Sequence, residues 1–161
     1  MAHLWTPWRS TYMKEKHEAS KCIFCAAAEA TADEVNLLIY RGEHCFVILN
    51  RYPYTSGHLM IAPYQHVSRL LQVGSEVTEE MMGLARLAEQ NLEEIYHPDG
   101  LNLGMNLGEA AGAGIEQHIH LHVLPRWKGD ANFMTTVGGV RIMPEDLNET
   151  YRKLRPKFAN G

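Results

Sequence analysis

The sequence predicts an α+β fold in a single domain: an antiparallel sheet of about five strands, one long central helix between strands, and a helix closing the chain. Three observations carry this. Short apolar runs bounded by Gly, Pro and Asn follow one another along the chain, which favours antiparallel neighbours. Residues 76–97 instead repeat their apolar positions with helical period. The length of 161 residues, 45% hydrophobic and 21% charged, suits one core. Residues 1–161 therefore form one domain, with an N-terminal arm over 1–20 and a C-terminal loop and helix over 128–161.

The arm "MAHLWTPWRSTYMKEKHEAS" is aromatic and polar without a period, as expected of a segment that packs on something else, such as another subunit. Alanine-rich "CIFCAAAEA" (22–30) predicts a short helix opened by the cysteine pair. "NLLIYRGEHCFVILN" (36–50) reads as two strands joined by a turn at Arg41-Gly42-Glu43. "RYPYTSG" (51–57) is a loop by its Pro and Gly, and "HLMIAPY" (58–64) a third strand. The long helix, 76–97, places Met81, Leu84, Ala85, Ala88, Leu92 and Ile95 on one stripe, has Glu79 and Glu80 in its first turn, and stops at Pro98. Its methionines are expected in the core, and its glutamate pairs on a solvated face. "GLNLGMNLG" (100–108) and "QHIHLHVLPRW" (117–127) are the fourth and fifth strands, and 128–143 is loop. "PEDLNETYRKLRPKF" (144–158) is a closing helix with Pro144 near its first position and Leu147, Tyr151, Leu154 and Phe158 on one face.

Bulk properties exclude several functions. The net charge is -4 with no block of Lys or Arg, so no nucleic-acid partner is expected. No apolar run reaches the roughly 18–20 residues of a membrane helix, and no membrane partner is expected. The N-terminus lacks the apolar stretch of a signal peptide. Three cysteines make a poor disulfide framework, which suits a reducing cytoplasm.

The informative motif is "GIEQHIHLHVLPRW". Strand alternation puts His118, His120 and His122 on one face and Ile119, Leu121 and Val123 on the other, which is apolar enough to lie on a helix. Imidazole titrates near neutrality, so the three rings can bind a metal, or one can act as a nucleophile while neighbours hold its other nitrogen. The glycine-rich stretch "NLGEAAGAG" (106–114) immediately upstream could offer backbone N–H groups to an anion, which makes phosphate chemistry the economical reading. Separately, "KCIFC" sets Cys22 and Cys25 at CxxC spacing, one corner of a zinc site that would need two more ligands from among His44, His58, His66 and His118. A redox dithiol is the rival reading. Cys45, inside an apolar strand, is expected to be a buried small hydrophobe.

"QHIHLHVLPRW" resembles the signature of the histidine triad superfamily, and "WTPWRSTYM" with "PRWKGDANFM" resembles its bacterial branch near the diadenosine tetraphosphate phosphorylases; the resemblance runs from about residue 5 to 158. It implies a dimeric enzyme that cleaves adenine nucleotides or dinucleotides. His120 would form a nucleotidyl-histidine intermediate, His122 would bind the phosphate or leaving oxygen, and His118 would be structural. The resemblance also implies that Asn50 holds the ribose, that Asn106 contacts phosphate, with the loop at Gly112, Ala113 and Gly114 beside it, and that Cys22, Cys25, His66 and His118 hold structural zinc. Either asparagine could instead be a turn residue. Relatives often carry Ser or Gln at the position of Gly114, four residues before the first histidine, so the leaving group here is open. Trp5, Trp8 and Trp127 could stack on adenine or pack in a core or interface, and Arg9 and Arg126 could meet phosphate or pair with carboxylates. The rival to an enzyme is a nucleotide-binding regulatory module with incidental turnover.

Overall fold

The computed structural model describes residues 22–130 and 145–159. The arm, with Trp5, Trp8 and Arg9, lies outside the described residues, as do Pro144 and most of the 128–143 loop. The elements run α1 (Ile23–Glu29), α2 (Asp33–Asn36), β1 (Leu38–Arg41), β2 (Cys45–Leu49), β3 (Leu59–Pro63), α3 (Ser75–Tyr96), β4 (Gly100–Met105), β5 (Leu121–Arg126) and α4 (Leu147–Ala159), with short 3-10 turns at Leu70–Gln72 and Glu109–Ala111. The sheet is antiparallel throughout, in the order β1-β2-β3-β5-β4. The expected fold class is the one observed.

Both faces of the sheet are covered at its centre. Every residue of β2 (CFVIL) and β3 (LMIAP) is buried, which is why these strands read as unbroken apolar runs. On one face Ile39, Val47, Leu49, Leu59, Ile61, Leu121 and Val123 pack against Met81, Leu84, Ala88 and Leu92 of α3 and Tyr151, Leu154 and Phe158 of α4. On the other, Leu38, Phe46, Ile48, Met60 and Ala62 meet Phe24 and Ala27 of α1. The small α1 layer matters for function, because it roofs the face on which the histidines lie.

Several boundaries differ from the sequence reading, each for a local reason. The β1–β2 turn falls at residues 42–44, and Arg41 belongs to β1. Its guanidinium donates to the carbonyls of Ala28 (2.8 Å) and Ala30 (2.6 Å) and to Asp33 (2.8 Å), satisfying the orphan carbonyls at the end of α1. The turn is held by Glu80. Its carboxylate accepts the N–H groups of Glu43 (2.7 Å), His44 (2.5 Å) and Cys45 (3.0 Å), so this residue is a cap for a distant turn and not part of a solvated face. Gly42 lies against it; a Cβ there would fall 2.1 Å from Glu80 Oε1. Met81 is buried but Met82 is 53% exposed, so only one of the two helix methionines is core. The closing helix begins at Leu147, with Asp146 accepting the Glu149 N–H (2.9 Å) as its cap.

Candidate active site and metal centre

The fifth strand was expected from residue 117 but starts at Leu121. Its pairing with β3 ends at Ile61–Leu121; continued in the same register, Ala62 would meet His120, and Pro63, which has no N–H to give, would meet Ile119. The chain from His118 to His120 lies outside the ladder and finds other partners. The Ile119 N–H donates to Val67 O (2.8 Å), and the carbonyl of Pro63 is taken by the ring of His118. All three rings still gather on the α1 side. Phe24 lies 5.1 Å from the His118 ring and 4.8 Å from that of His120, and His120 and His122 meet edge to face at 4.8 Å.

Hydrogen bonds to groups that can only donate, or only accept, assign the protons on these rings. His118 donates Nε2–H to Pro63 O (2.9 Å), leaving Nδ1 bare. His120 donates Nδ1–H to His118 O (2.9 Å), leaving Nε2 bare. The third assignment comes through His58. Its Nδ1 accepts the backbone N–H of Tyr54 (3.2 Å) and faces the Asn50 amide (3.3 Å), so its proton sits on Nε2, which donates to His122 Nδ1 (2.9 Å). Neutral His122 then carries its proton on Nε2. One ring thus presents a lone pair and its neighbour an N–H.

His58, His120 and His122 are held below the usual imidazole range. Burial, then the neighbouring rings of His122 and His120, hold His58 down at about 3. Burial and His120 hold His122 at about 4. Burial lowers His120 as well, against the opposing pull of its bond to His118 O. Such a site offers a neutral nitrogen nucleophile and a neutral hydrogen-bond donor at physiological pH.

Four ligand atoms converge on the other side of His118. Those of Cys22, Cys25, His66 and His118 all lie within 4.8 Å of one another. Cys22 Sγ is 3.4 Å from His118 Nδ1, and Cys25 Sγ is 3.3 Å from His66 Nδ1 and 3.6 Å from His118 Nδ1. Burial pushes the Cys22 thiol up, but the adjoining His118 ring and hydrogen bonds from the amides of Cys25 and Phe24 outweigh it and set it at about 6. Cys25 is raised, by burial and by its neighbour Cys22. A low thiol, a bare imidazole nitrogen and an imidazole N–H anchored on a carbonyl are the ingredients of a metal ligand set, and the cluster could hold a metal ion. His58 and His44 are not part of it. His58 belongs to the triad network, and the His44 ring lies near Glu43.

The remaining expected residues are placed as follows. Asn50 Oδ1 accepts the Tyr52 N–H (2.9 Å) in a local turn, while its amide faces His58. The β4–β5 register pairs Gly104 with His122 and Met105 with Leu121 and ends there, so Asn106 is the first residue beyond β4 and His120 the last before β5. In the loop, the amides of Gly112 and Ala113 donate to Glu109 O (2.9 Å) and Gly108 O (3.4 Å), whereas Gly114 makes no backbone hydrogen bond of its amide among the described residues. Arg126 pairs with Asp130 (2.7 Å) and donates to Asn102 (2.8 Å), and Trp127 donates to Tyr96 O (3.4 Å) at the end of α3. Cys45 is fully buried and its thiol is pushed up to about 12 by burial, then by Glu80. His58 was visible in the sequence only as a metal-ligand candidate. Its true place follows once β3 and β5 are known to be neighbours, which pairs Met60 with His122.

Comparisons with known proteins bear on the family and the fold. Residues 32–129 match the HIT domain family. An AP-4-A phosphorylase of Mycobacterium tuberculosis is 37% identical over 166 residues, spanning 99% of this chain and 85% of that protein. The crystal structure of a Zn-bound histidine triad family protein from Mycobacterium smegmatis superposes with a TM-score of 0.68 at 33% identity, covering 87% of this chain and 94% of that one. A Plasmodium falciparum diadenosine triphosphate hydrolase, at 11% identity and a TM-score of 0.61, shares the fold over 77% of this chain and 75% of its own.

Proposed function

The chain belongs to the HIT family, and from that premise we propose that it splits AMP from dinucleoside polyphosphates such as diadenosine tetraphosphate through a nucleotidyl-histidine on His120. The observation that carries this is the bare Nε2 of His120, held so by the Nδ1–H bond to His118 O. In the first step Nε2 bonds to the α-phosphorus and the bridging P–O bond breaks, its electrons leaving with the polyphosphate. His122 Nε2–H donates to that oxygen as charge develops. In the second step water or inorganic phosphate attacks the phosphorus, the P–N bond breaks, and the electron pair returns to Nε2. Splitting one displacement into two is what a neutral nitrogen nucleophile contributes. Asn106 and the amide of Gly114 suit the phosphate, and Asn50 the ribose.

The metal centre is read as structural zinc. Tetrahedral bonds of about 2.3 Å to sulfur and about 2.0–2.1 Å to nitrogen put S and N about 3.5 Å apart, matching the 3.3, 3.4 and 3.6 Å separations found. With four protein ligands, bound zinc would be closed to substrate and would tie α1 to the histidine segment. Reduced thiolate ligands suit a cytoplasmic enzyme. We read the protein as a homodimer: β4 ends the sheet, and its Leu103 is 44% exposed, so a second copy can cover that edge. Sedimentation at micromolar concentration checks the dimer.

The AP-4-A phosphorylase relative favours phosphate as the second acceptor. Incubation with diadenosine tetraphosphate, with and without phosphate, tests the reading. ADP plus ATP appearing only with phosphate is the expected result; AMP plus ATP would make the enzyme a hydrolase. No cleavage of any AMP derivative under either condition would defeat the enzymatic reading.

A further inference from the structure

We propose that Phe24, set between the two candidate ligand cysteines, is a positioning residue for His120. This rests on the nucleophile reading above. Phe24 sits between Cys22 and Cys25, and its side chain has no exposed surface. Its ring lies 4.8 Å from the His120 ring at 38° and 5.1 Å from the His118 ring at 51°. Behind it stands Phe46, 6.4 Å away. On another side of His120 stands the edge-to-face ring of His122 at 4.8 Å.

The bond from Nδ1 to His118 O fixes one corner of the His120 imidazole. A single hydrogen bond leaves the ring able to pivot about that corner; the plane is set by what packs against it. Phe24 is the aromatic surface that the N-terminal layer supplies there. Its backbone position is tied twice, once by the ligand cysteines on either side and once by Arg41, which holds the carbonyl end of α1. The sequence Cys-Ile-Phe-Cys therefore places two ligands and the ring that touches the nucleophile within one helical turn. Reaction geometry is unforgiving, since displacement by about 1 Å can cost about a hundredfold in rate.

A role in packing alone makes different predictions, and three variants separate them. Phe24→Leu leaves a gap beside His120. Phe24→Met refills volume with a flexible chain but gives no flat ring. Ala27→Gly loosens the same helix and the same apolar cluster without touching His120. The readouts are metal content, KM, the single-turnover rate of nucleotidyl-enzyme formation from diadenosine tetraphosphate, and the imidazole 15N spectrum at one fixed pH. Phe24→Leu and Phe24→Met should keep the metal and hold KM within about twofold, while the single-turnover rate falls about tenfold. The His120 signal should change from one Nδ1–H tautomer to an exchanging mixture. Ala27→Gly should keep the wild-type rate and spectrum. Wild-type rate and a single tautomer in either Phe24 variant, or equal slowing in Ala27→Gly, would overturn the proposal. Should wild-type enzyme form no covalent adduct while still cleaving the substrate, the nucleophile reading itself fails, and this inference with it.

Discussion

His118 and His120 are two residues apart, share a face and touch the same phenylalanine, yet they expose opposite nitrogens. His118 gives Nε2–H to a carbonyl on β3 and turns Nδ1 toward two thiols. His120 gives Nδ1–H to the carbonyl of His118 and keeps Nε2 bare. The role of each imidazole is set by which carbonyl lies within reach of which nitrogen. The carbonyls are placed by the chain around the sheet: β3 ends at Pro63, whose oxygen is taken by His118, and the segment before β5 offers His118 O to His120. One short segment is thus divided into a metal-facing half and a substrate-facing half.

The largest effect should come from removing either ring in turn. His120→Ala should lose turnover by at least about a thousandfold, as expected for a nucleophile, and keep its metal. His118→Ala should do the reverse. Metal affinity should fall by more than the roughly 10–100-fold that losing an outer partner of a ligand costs, while turnover falls less than in His120→Ala, because the carbonyl that orients His120 belongs to the backbone and remains. Metal analysis and steady-state rates on the two proteins decide it. If His120→Ala releases the metal, or His118→Ala is as inactive as His120→Ala, the two halves are one site and the division is wrong.

A smaller effect is expected at His58, which enforces the third tautomer. His58→Phe removes the donor to His122 Nδ1, so the His122 proton can settle on the nitrogen that faces away from substrate. The kcat should drop about 10–100-fold, toward the low end of what a positioned proton donor contributes, with KM little changed. A rise in KM at unchanged kcat would instead assign His58 to binding.

The same pair gives a pH signature. His58 and His122 are held at about 3 and about 4, below the ordinary 6.5, so between these values the unfolded chain binds protons that the folded one refuses. Stability from this source is complete above about pH 6.5 and declines as pH falls toward 4. Urea midpoints of wild type should therefore decrease from pH 7 to 5, and those of His58→Phe should decrease less steeply. Parallel slopes for the two proteins would show that the pair is not protonated on unfolding.

Much of this was legible in the sequence, and the exceptions share a cause. The central strands, the long helix and the cysteine pair could be identified because each carries its own local pattern or motif. The CxxC pattern leaves four histidines open as further ligands, and only the resemblance to the histidine triad superfamily singles out His66 and His118. What stayed hidden depends on partners far along the chain. The alternation of 117–127 gave the shared face of the histidines but not the start of the strand, since the ladder with β3 reaches back only to Ile61–Leu121. His58 lacks any motif and acquires its role only when β3 lies beside β5. The glycine-rich loop looked uniformly available to an anion, yet two of its three named amides close its own turns. Periodicity reports which way a side chain points, not what it meets there.

Glu80 shows the same limit in a region unconnected with either half of the histidine segment, and it supplies the control for all the comparisons above. Read by periodicity it is one of several acidic residues on a solvated helix, yet it accepts three backbone N–H groups from the β1–β2 turn. Those donors lose a charged acceptor in Glu80→Ala, which should cost about 1.5–3 kcal/mol in urea unfolding. Because the hydrogen bonds of this turn run to Glu80, Cys45 and Tyr64 and none joins it to His120, His122 or the cysteine pair among the described residues, kcat and metal content should be unchanged at temperatures where the variant is folded. A fall in kcat without a fall in stability would mean that the turn communicates with the histidine face, and stability-matched controls elsewhere in the protein would then lose their force.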